Sequence, residues 1–262
     1  MTIVVFDNHR HACQIEARMR VSESRVALVT GGSRGIGAGI ARRLAGDGLR
    51  VAVTHTSTPE RAEAIVTEFG PGNGLAIRAD SGDRDAVDAA VERTVATFGR
   101  LDVVVANAGV AAVGRFDELA ADQIDRMLRV NVHGVLHTLR AALRHLPDGG
   151  RIVTAGSVNA DRVPFPGGAV YSMTKVALQG LVRGLARDLG PRGITVNNIQ
   201  PGPTANDRMP ADSPAAARLT EHMALQRLGT PDEIGAMVCY LIGPDAHFIT
   251  GASITIDGGF TA

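Results

Sequence analysis

The sequence predicts an α/β fold, a single domain built on a doubly wound sheet of about seven parallel strands with helices on both faces. Short β-branched runs alternate with longer stretches of helical periodicity, which is typical of βαβ units. Some of these runs, such as 103–105, contain no polar residue, as expected for strands that helices cover on both sides.

The predicted elements follow one another along residues 25–262. We expect strands at 25–30, 50–55, 74–79, 102–106, 151–155, 195–199 and 253–256. We expect helices at 35–46, 59–69, 83–98, 121–145, 171–189 and 231–241. Right-handed crossovers between successive strands would give the open sheet of a Rossmann fold.

Two segments stand apart from this alternation. Residues 1–24 precede the first predicted strand, and we expect them to be a flexible extension of a dinucleotide-binding catalytic domain at 25–262. Segment 203–223 has a weak pattern rich in Pro, Ala, Asp and Ser. Because long loops in compact domains often cover sites, we predict a lid at about 203–223.

Composition excludes several classes of protein. The chain has 27 basic and 27 acidic residues, which argues against the basic surface of a nucleic-acid binder. The sequence contains no run of about 18 apolar residues, so we expect no membrane span. Cys13 and Cys239 are too few for a disulfide framework, so we expect a reducing, cytoplasmic compartment. His9, His11 and Cys13 lack a fourth ligand at zinc-like spacing, so we expect no metal site.

The first predicted strand runs directly into a glycine-rich turn at 30–37 and then into a helix. Glycines allow the backbone to approach phosphate closely, and the helix N-terminus offers free amide groups to the anion. We therefore predict a dinucleotide site at this turn. Its predicted contacts are Gly31, Ser33, Arg34, Gly35, Ile36 and Gly37.

The end of the second predicted strand favours NADP(H) over NAD(H). An acidic residue there would bind the ribose 2′-hydroxyl, whereas a basic residue nearby accommodates a 2′-phosphate. Stretch 53–58 has no carboxylate; it offers His55, Thr56 and Ser57, and Arg34 can reach the same region. The alternative is that Arg34 is only solvated and the selectivity is slight.

The candidate acid–base pair is Tyr171 and Lys175. Lys175 is the only lysine, against 26 arginines, so its position calls for a compact ammonium on a flexible stem. At a spacing of four, both side chains share one helix face, and the ammonium would lower the tyrosine pKa toward the working range. Ser157, just after the fifth strand, can donate to the same substrate oxygen.

These motifs resemble the short-chain dehydrogenase/reductase family from about Arg25 to Ala262. The similar segments are the cofactor turn at 30–37, Asn-Ala-Gly at 107–109, Pro-Gly at 201–202 and Asp-Gly-Gly at 257–259. Asn131, Ser157, Tyr171 and Lys175 fall where the family has its four catalytic residues.

The resemblance implies further roles. Asp80 and Ser81 would face the adenine, and Asn131 would hold a water that links Lys175 to solvent. Tyr171 and Lys175 would also contact the cofactor, with Lys175 bound to the nicotinamide ribose. The remaining implied cofactor contacts are Asn107, Ala108, Gly109, Pro201, Gly202 and Thr204. The family also implies a homotetramer built on helices 121–145 and 171–189.

Two positions depart from the family pattern. Met173 stands where the family often has alanine, and Asn206 stands where a threonine often follows the Pro-Gly motif. The first departure affects helix packing and the second affects the lid contact, so neither removes the predicted hydride chemistry.

The leading hypothesis is an NADPH-dependent reductase or dehydrogenase that acts on a ketone, an aldehyde or a secondary alcohol, and it resembles the 3-ketoacyl reductases. The alternative is an NADP-binding or cyclic-dinucleotide-binding regulatory protein. Stretches 156–162 and 200–204 are similar to a bacterial biofilm-dispersal member of the family.

Overall fold

In the residues that the computed structural model describes, 25–207 and 209–262, seven parallel strands form one sheet in the order β3-β2-β1-β4-β5-β6-β7. The strands are β1 (Val26–Val29), β2 (Arg50–His55), β3 (Gly74–Arg78), β4 (Val103–Ala106), β5 (Arg151–Ala155), β6 (Thr195–Pro201) and β7 (Ser253–Ile256). The doubly wound fold class is confirmed. The predicted extension at 1–24 lies outside the described residues.

The helices alternate with these strands. They are α1 (Gly35–Gly46), α2 (Pro59–Thr67), α3 (Arg84–Phe98), α4 (Ala121–Leu128), α5 (Gly134–Ala142), α6 (Ala169–Leu189), α7 (Pro214–Thr220) and α8 (Pro231–Ile242). A π-helical turn, Arg129–His133, joins α4 to α5, and short 3-10 turns lie at Val158–Ala160, Gly190–Arg192 and Pro244–Ala246.

Each face of the sheet carries its own apolar core. Helices α1, α2 and α8 pack on one face, where Ile40, Leu44 and Val238 are fully buried. Helices α3, α5 and α6 pack on the other, around residues such as Leu139 and Leu178. The two cores explain why strands β1 and β4 are buried along their whole length.

The strand order reverses between β1 and β4, which are hydrogen-bonded neighbours in register from Ala27–Val103 to Val29–Val105. Crossovers leave β1 and β4 toward opposite sides, so a crevice opens at their carboxyl ends. The glycine turn follows β1 and segment 107–109 follows β4. The topology therefore brings both predicted cofactor motifs to this crevice.

The helix predicted at 121–145 differs from the structure in two ways. The turn Arg129–His133 is π-helical, so one extra residue is accommodated within the helical run. Regular helix ends at Ala142, and the chain from Leu143 to His145 forms turns. Helical periodicity alone does not reveal either feature, because the apolar positions continue through both.

The segment predicted as a lid contains helix α7, whose Ser213 side chain accepts a hydrogen bond from the Ala216 amide. Ala216 and Met223 are buried in a small apolar cluster with Val158 and Phe260. The segment therefore packs against the loop that follows β5. None of the helices in residues 25–207 and 209–262 has the length and apolar character needed to span a bilayer.

Candidate active site

The glycine turn folds over the crevice in a conformation that only residues without a side chain adopt easily. Gly31 and Gly35 have positive φ angles of 65° and 52°, a region that favours glycine. A Cβ on Gly37 would lie 2.3 Å from the Gly31 carbonyl oxygen and 2.5 Å from Asn107 Nδ2. Helix α1 begins directly after Arg34 with no side-chain cap, so its first amide groups are available to an anion.

Gly37→Ala is expected to lower the free energy of unfolding by about 1–3 kcal/mol, because the added methyl group has no room. Chemical denaturation measures this change. Gly46→Ala is the control, since it lies at the exposed end of the same helix, where a Cβ meets nothing within 4 Å. Equal stability of the two variants would contradict the close approach.

Asn107 and Thr30 hold the turn against the chain after β4. Asn107 Nδ2 donates to the carbonyl oxygens of Thr30 and Gly31 at 2.9 and 3.2 Å. Thr30 Oγ1 accepts from the amides of Asn107 and Ala108 at 3.0 and 3.1 Å. These bonds fix the two walls of the crevice relative to each other, so Asn107 has a structural role besides its expected cofactor contact.

The end of β2 carries polar groups suited to the adenosine end of a dinucleotide. His55 is 6% exposed and its Nδ1 is buried without a hydrogen-bond partner, while burial lowers the pKa of the ring. Ser33 Oγ lies 2.8 Å from Thr58 Oγ1, which ties the glycine turn to the start of α2. Arg34, Thr56 and Ser57 are exposed beside them.

Asp80, expected at the adenine, already has partners. Its Oδ1 accepts from the Gly82 amide at 2.9 Å and its Oδ2 accepts from Arg126 Nη1 at 3.1 Å. Burial opposes ionisation, but the Gly82 and Arg126 hydrogen bonds together lower the pKa of the carboxyl. Ser81 is buried next to it. Asp80 is therefore ionised and held in place. Only those lone pairs of its carboxylate that accept no hydrogen bond from Gly82 or Arg126 are left to accept one from an adenine.

Tyr171, Lys175 and Ser157 come together at the carboxyl edge of the sheet. Helix α6 carries the first two one turn apart, and Lys175 Nζ lies 5.6 Å from the centroid of the Tyr171 ring. Ser157 follows β5 and hydrogen-bonds the Tyr171 hydroxyl. Lys175 is 4% exposed, and its ammonium donates to the Ala155 carbonyl oxygen at 2.7 Å.

The pKa of Tyr171 differs from the sequence prediction. Burial raises the pKa of Tyr171, and the hydrogen bond with Ser157 offsets this only in part. The Lys175 ammonium donates to the Ala155 carbonyl oxygen and lies 5.6 Å from the centroid of the Tyr171 ring. Burial also lowers the pKa of Lys175 to about 8. The phenol is therefore held in its protonated form at neutral pH.

Asn131 lies in the π-helical turn and connects three parts of the site. Its Oδ1 accepts from the Val110 amide at 2.8 Å, and its Nδ2 donates to the Val110 carbonyl oxygen at 2.8 Å and to Thr174 Oγ1 at 3.0 Å. A Cβ on Gly109 would lie 3.5 Å from Asn131 Oδ1 and 3.4 Å from Lys175 Nζ. Asn131 and the Lys175 ammonium thus both border Gly109, and Asn131 braces α6 against the chain after β4. The water expected between Asn131 and Lys175 stays a prediction.

A polar network around the buried Gln200, which the sequence reasoning missed, supports the Ser157 turn. Gln200 is fully buried, and its Nε2 hydrogen-bonds Asp161 Oδ2. Gln179 Nε2 donates to Asp161 Oδ1 at 2.7 Å and to Gln200 Oε1 at 2.8 Å. Gln200 lies near the end of the buried strand β6, and a buried side-chain amide needs hydrogen-bond partners. This position in the sequence could therefore have indicated a polar network.

The nicotinamide-side motif lies at the end of β6. Gly202 leaves no room for a side chain, since its Cβ would stand 2.5 Å from Asp257 Cβ. Thr204 is buried and donates to the Gly202 carbonyl oxygen at 2.9 Å. Asn206 Nδ2 donates to the Thr204 carbonyl oxygen at 3.0 Å. The predicted residues Pro201, Gly202 and Thr204 therefore form one tight turn beside β7.

A family profile described as "Enoyl-(Acyl carrier protein) reductase" matches residues 31–261, and solved short-chain dehydrogenases share the fold over most of the chain. The chain belongs to the short-chain dehydrogenase/reductase family. Members of this family are nicotinamide-dependent oxidoreductases. The resemblance inferred from the sequence motifs is therefore confirmed.

Three relatives within the family illustrate the likeness. The cyclic-di-GMP-binding biofilm dispersal mediator protein of Escherichia coli is 47% identical and covers 91% of this chain and 98% of its own. Versicolorin reductase stcU of Emericella nidulans is 38% identical, covering 90% and 96%. A short-chain dehydrogenase from Burkholderia cenocepacia, solved in complex with NADP, is 49% identical with a TM-score of 0.89 and covers 92% and 99%.

The crevice fits the family's dinucleotide cofactor on its own chemistry. It combines a glycine turn in which a Cβ on Gly31, Gly32 or Gly37 would lie 3.0 Å or less from another atom, uncapped helix amides, and an orphaned polar atom on His55. Among residues 25–207 and 209–262, no group of three or more His, Cys, Asp or Glu side chains is arranged to hold a metal ion.

Proposed function

We propose that the protein is an NADPH-dependent reductase that converts a ketone or aldehyde to an alcohol, with Tyr171 as the acid. The observation that carries this proposal is the meeting of Tyr171, Ser157 and Lys175 at the carboxyl edge, next to the glycine-turn crevice. The bound nicotinamide would supply the hydride, and the residues of this chain would manage the proton and the geometry.

Each residue has a defined part in this scheme. Ser157 donates a hydrogen bond to the carbonyl oxygen and holds it beside the Tyr171 hydroxyl. Tyr171 gives its proton to that oxygen as negative charge develops there, which is general acid catalysis. Burial keeps the phenol protonated at neutral pH, which is the form that an acid in the reduction direction requires. Lys175 stabilises the phenolate that remains and binds the nicotinamide ribose, and Asn131 connects the ammonium toward solvent.

The preference for NADP(H) rests on the end of β2. His55, Thr56 and Ser57 provide no carboxylate to repel a 2′-phosphate, and Arg34 lies exposed in the adjacent turn. The Burkholderia cenocepacia relative, solved with NADP, supports the same choice. The adenine would lie near Asp80 and Ser81, and the nicotinamide near Pro201, Gly202 and Thr204.

A cofactor-consumption screen tests the function. Purified protein is mixed with NADPH or NADH and a panel of ketones, aldehydes and polyhydroxylated aromatic ketones, and absorbance at the nicotinamide band is followed. We expect oxidation of NADPH with at least one carbonyl and slower oxidation of NADH. Absence of turnover across the panel, in protein shown to bind NADPH, would contradict the reductase proposal.

The second candidate is a nucleotide-binding regulatory protein, favoured by the cyclic-di-GMP-binding relative. Its similar stretches, 156–162 and 200–204, contain the Ser157 turn and the nicotinamide-side turn, so a cyclic dinucleotide would occupy part of the same crevice. Calorimetry with cyclic di-GMP in the presence and absence of saturating NADPH discriminates the two. Binding of the cyclic dinucleotide without any carbonyl turnover would favour the regulatory role.

We further propose that the enzyme is a cytoplasmic homotetramer acting on a small molecule, with no nucleic-acid or membrane partner. Exposed apolar side chains on the two helices implied by the family support the assembly, namely Leu136 on α5 with Met173 and Val176 on α6. Light scattering on the purified protein measures its mass, and a monomer would contradict the assembly.

A further inference from the structure

A cavity of about 360 Å³ opens beside the glycine turn, between α1, α2 and the predicted lid. Ser33, Arg34 and Gly35 line it from the turn, Arg61 lines it from α2, and Asp207 lines it from the lid segment. The cavity therefore lies at the adenosine end of the crevice, and it contains a cation that the family motifs do not account for.

Arg61 is held by the lid segment. Its Nη1 forms a hydrogen-bonded ion pair with Asp207 Oδ2, and both side chains remain more than half exposed, at 54% and 58%. An exposed pair of this kind contributes only about 0.2–1 kcal/mol. A stronger anion that reaches Arg61 can therefore displace Asp207 at small cost.

A hydrogen bond joins the start of α2, which carries Arg61, to the glycine turn. Thr58 is the residue before α2, and its Oγ1 lies 2.8 Å from Ser33 Oγ. Arg61 lies in the first turn of that helix. On the other side, a Cβ on Gly35 would lie 3.7 Å from Asn206 Cβ. The lid segment thus passes over the turn and places the Asp207 carboxylate next to Arg61.

We propose that Arg61 is a second ligand for the 2′-phosphate of NADP(H), together with Arg34, and that Asp207 competes with the phosphate for it. The inference rests on the proposed NADP(H) function and adds a specificity-determining pair to it. A phosphate monoester carries more charge than a carboxylate, and a guanidinium fork binds it in two places. NADH has no such group, so with NADH the Arg61–Asp207 pair stays intact.

Calorimetry with nucleotide fragments tests the proposal without turnover. The probes are 2′,5′-ADP, which carries the 2′-phosphate, and 5′-ADP, which does not. Arg61→Gln is expected to weaken binding of 2′,5′-ADP by about tenfold, the loss of one charge-assisted contact, and to leave 5′-ADP unchanged. Asp207→Asn is expected to tighten 2′,5′-ADP by about fivefold, because the competitor is removed.

A matched control lines the same cavity. Arg42 and Glu68 form a two-point ion pair at 2.7 and 2.9 Å, and Glu68 lies on the chain just after α2. Glu68→Gln makes the same charge change as Asp207→Asn and frees Arg42 instead of Arg61. We expect it to alter binding of 2′,5′-ADP by less than about twofold, as for a change at an exposed pair.

The double variant Arg61→Gln/Asp207→Asn completes the test. If Asp207 acts through Arg61, the double variant binds 2′,5′-ADP as weakly as Arg61→Gln alone. Equal effects of Asp207→Asn and Glu68→Gln, or unchanged binding in Arg61→Gln, would overturn the inference. If the unaltered protein binds both fragments equally and Arg34→Gln changes neither, the NADP(H) preference itself is wrong, which is a separate failure.

Discussion

Replacing Tyr171 with phenylalanine is expected to lower kcat for carbonyl reduction by about 10²–10⁴, the usual contribution of a positioned general acid. The ring would still fill its place on α6, but no hydroxyl would remain to receive the Ser157 hydrogen bond or to protonate the substrate. Steady-state kinetics with a carbonyl found in the screen measures the loss, and calorimetry should find NADPH binding nearly unchanged.

The chain offers a matched control for this change. Tyr240 is the only other tyrosine, and it lies 47% exposed on α8, away from the carboxyl edge. Tyr240→Phe removes the same hydroxyl and is expected to leave kcat unaltered. If Tyr171→Phe retains turnover within a factor of three while Tyr240→Phe behaves normally, another group supplies the proton.

The exchange of Lys175 for arginine is expected to remove most activity although it preserves the positive charge. Lys175 is 4% exposed, and a Cβ on Gly109 would already stand 3.4 Å from its Nζ. The larger planar guanidinium has no space there and cannot donate to the Ala155 carbonyl oxygen from the same position. We expect kcat/KM to fall by about 10²–10³, with a loss of stability of about 1–3 kcal/mol from overpacking.

The opposite exchange on the same helix isolates the effect of position. Arg183 lies exposed on α6 two turns further along, so Arg183→Lys should change neither kinetics nor thermal midpoint. Wild-type activity in Lys175→Arg would mean that only the charge matters at this position. It would also remove the reason for the single lysine of the sequence.

Much of the architecture could be predicted because local signals and topology agree. The glycine turn, the β-branched runs and the helices between them each define an element, and parallel strands deliver their carboxyl ends to one edge. The spacing of Tyr171 and Lys175 was enough to place both on one helix face. Their roles remain proposals, but the structure brings them together with Ser157 as the sequence indicated.

The features that were not predicted arise from contacts between distant segments. The pKa of Tyr171 depends on how deeply α6 is packed and on where the Lys175 ammonium is directed, which no local pattern encodes. The Asp161–Gln200 contact joins residues 39 positions apart, and the Arg61–Asp207 pair joins residues 146 apart. Such pairs form only once the sheet is assembled.

The π-helical turn Arg129–His133 makes the site unusually sensitive to chain length. A π-turn holds one residue more than an α-turn in the same span, so it is equivalent to a one-residue insertion. Deleting a single residue there would let α4 and α5 merge into a regular helix, and the side chains within the former π-turn, Asn131 among them, would point in new directions. Asn131 would then lose either Val110 or Thr174, so we expect this helix to tolerate substitutions far better than insertions or deletions.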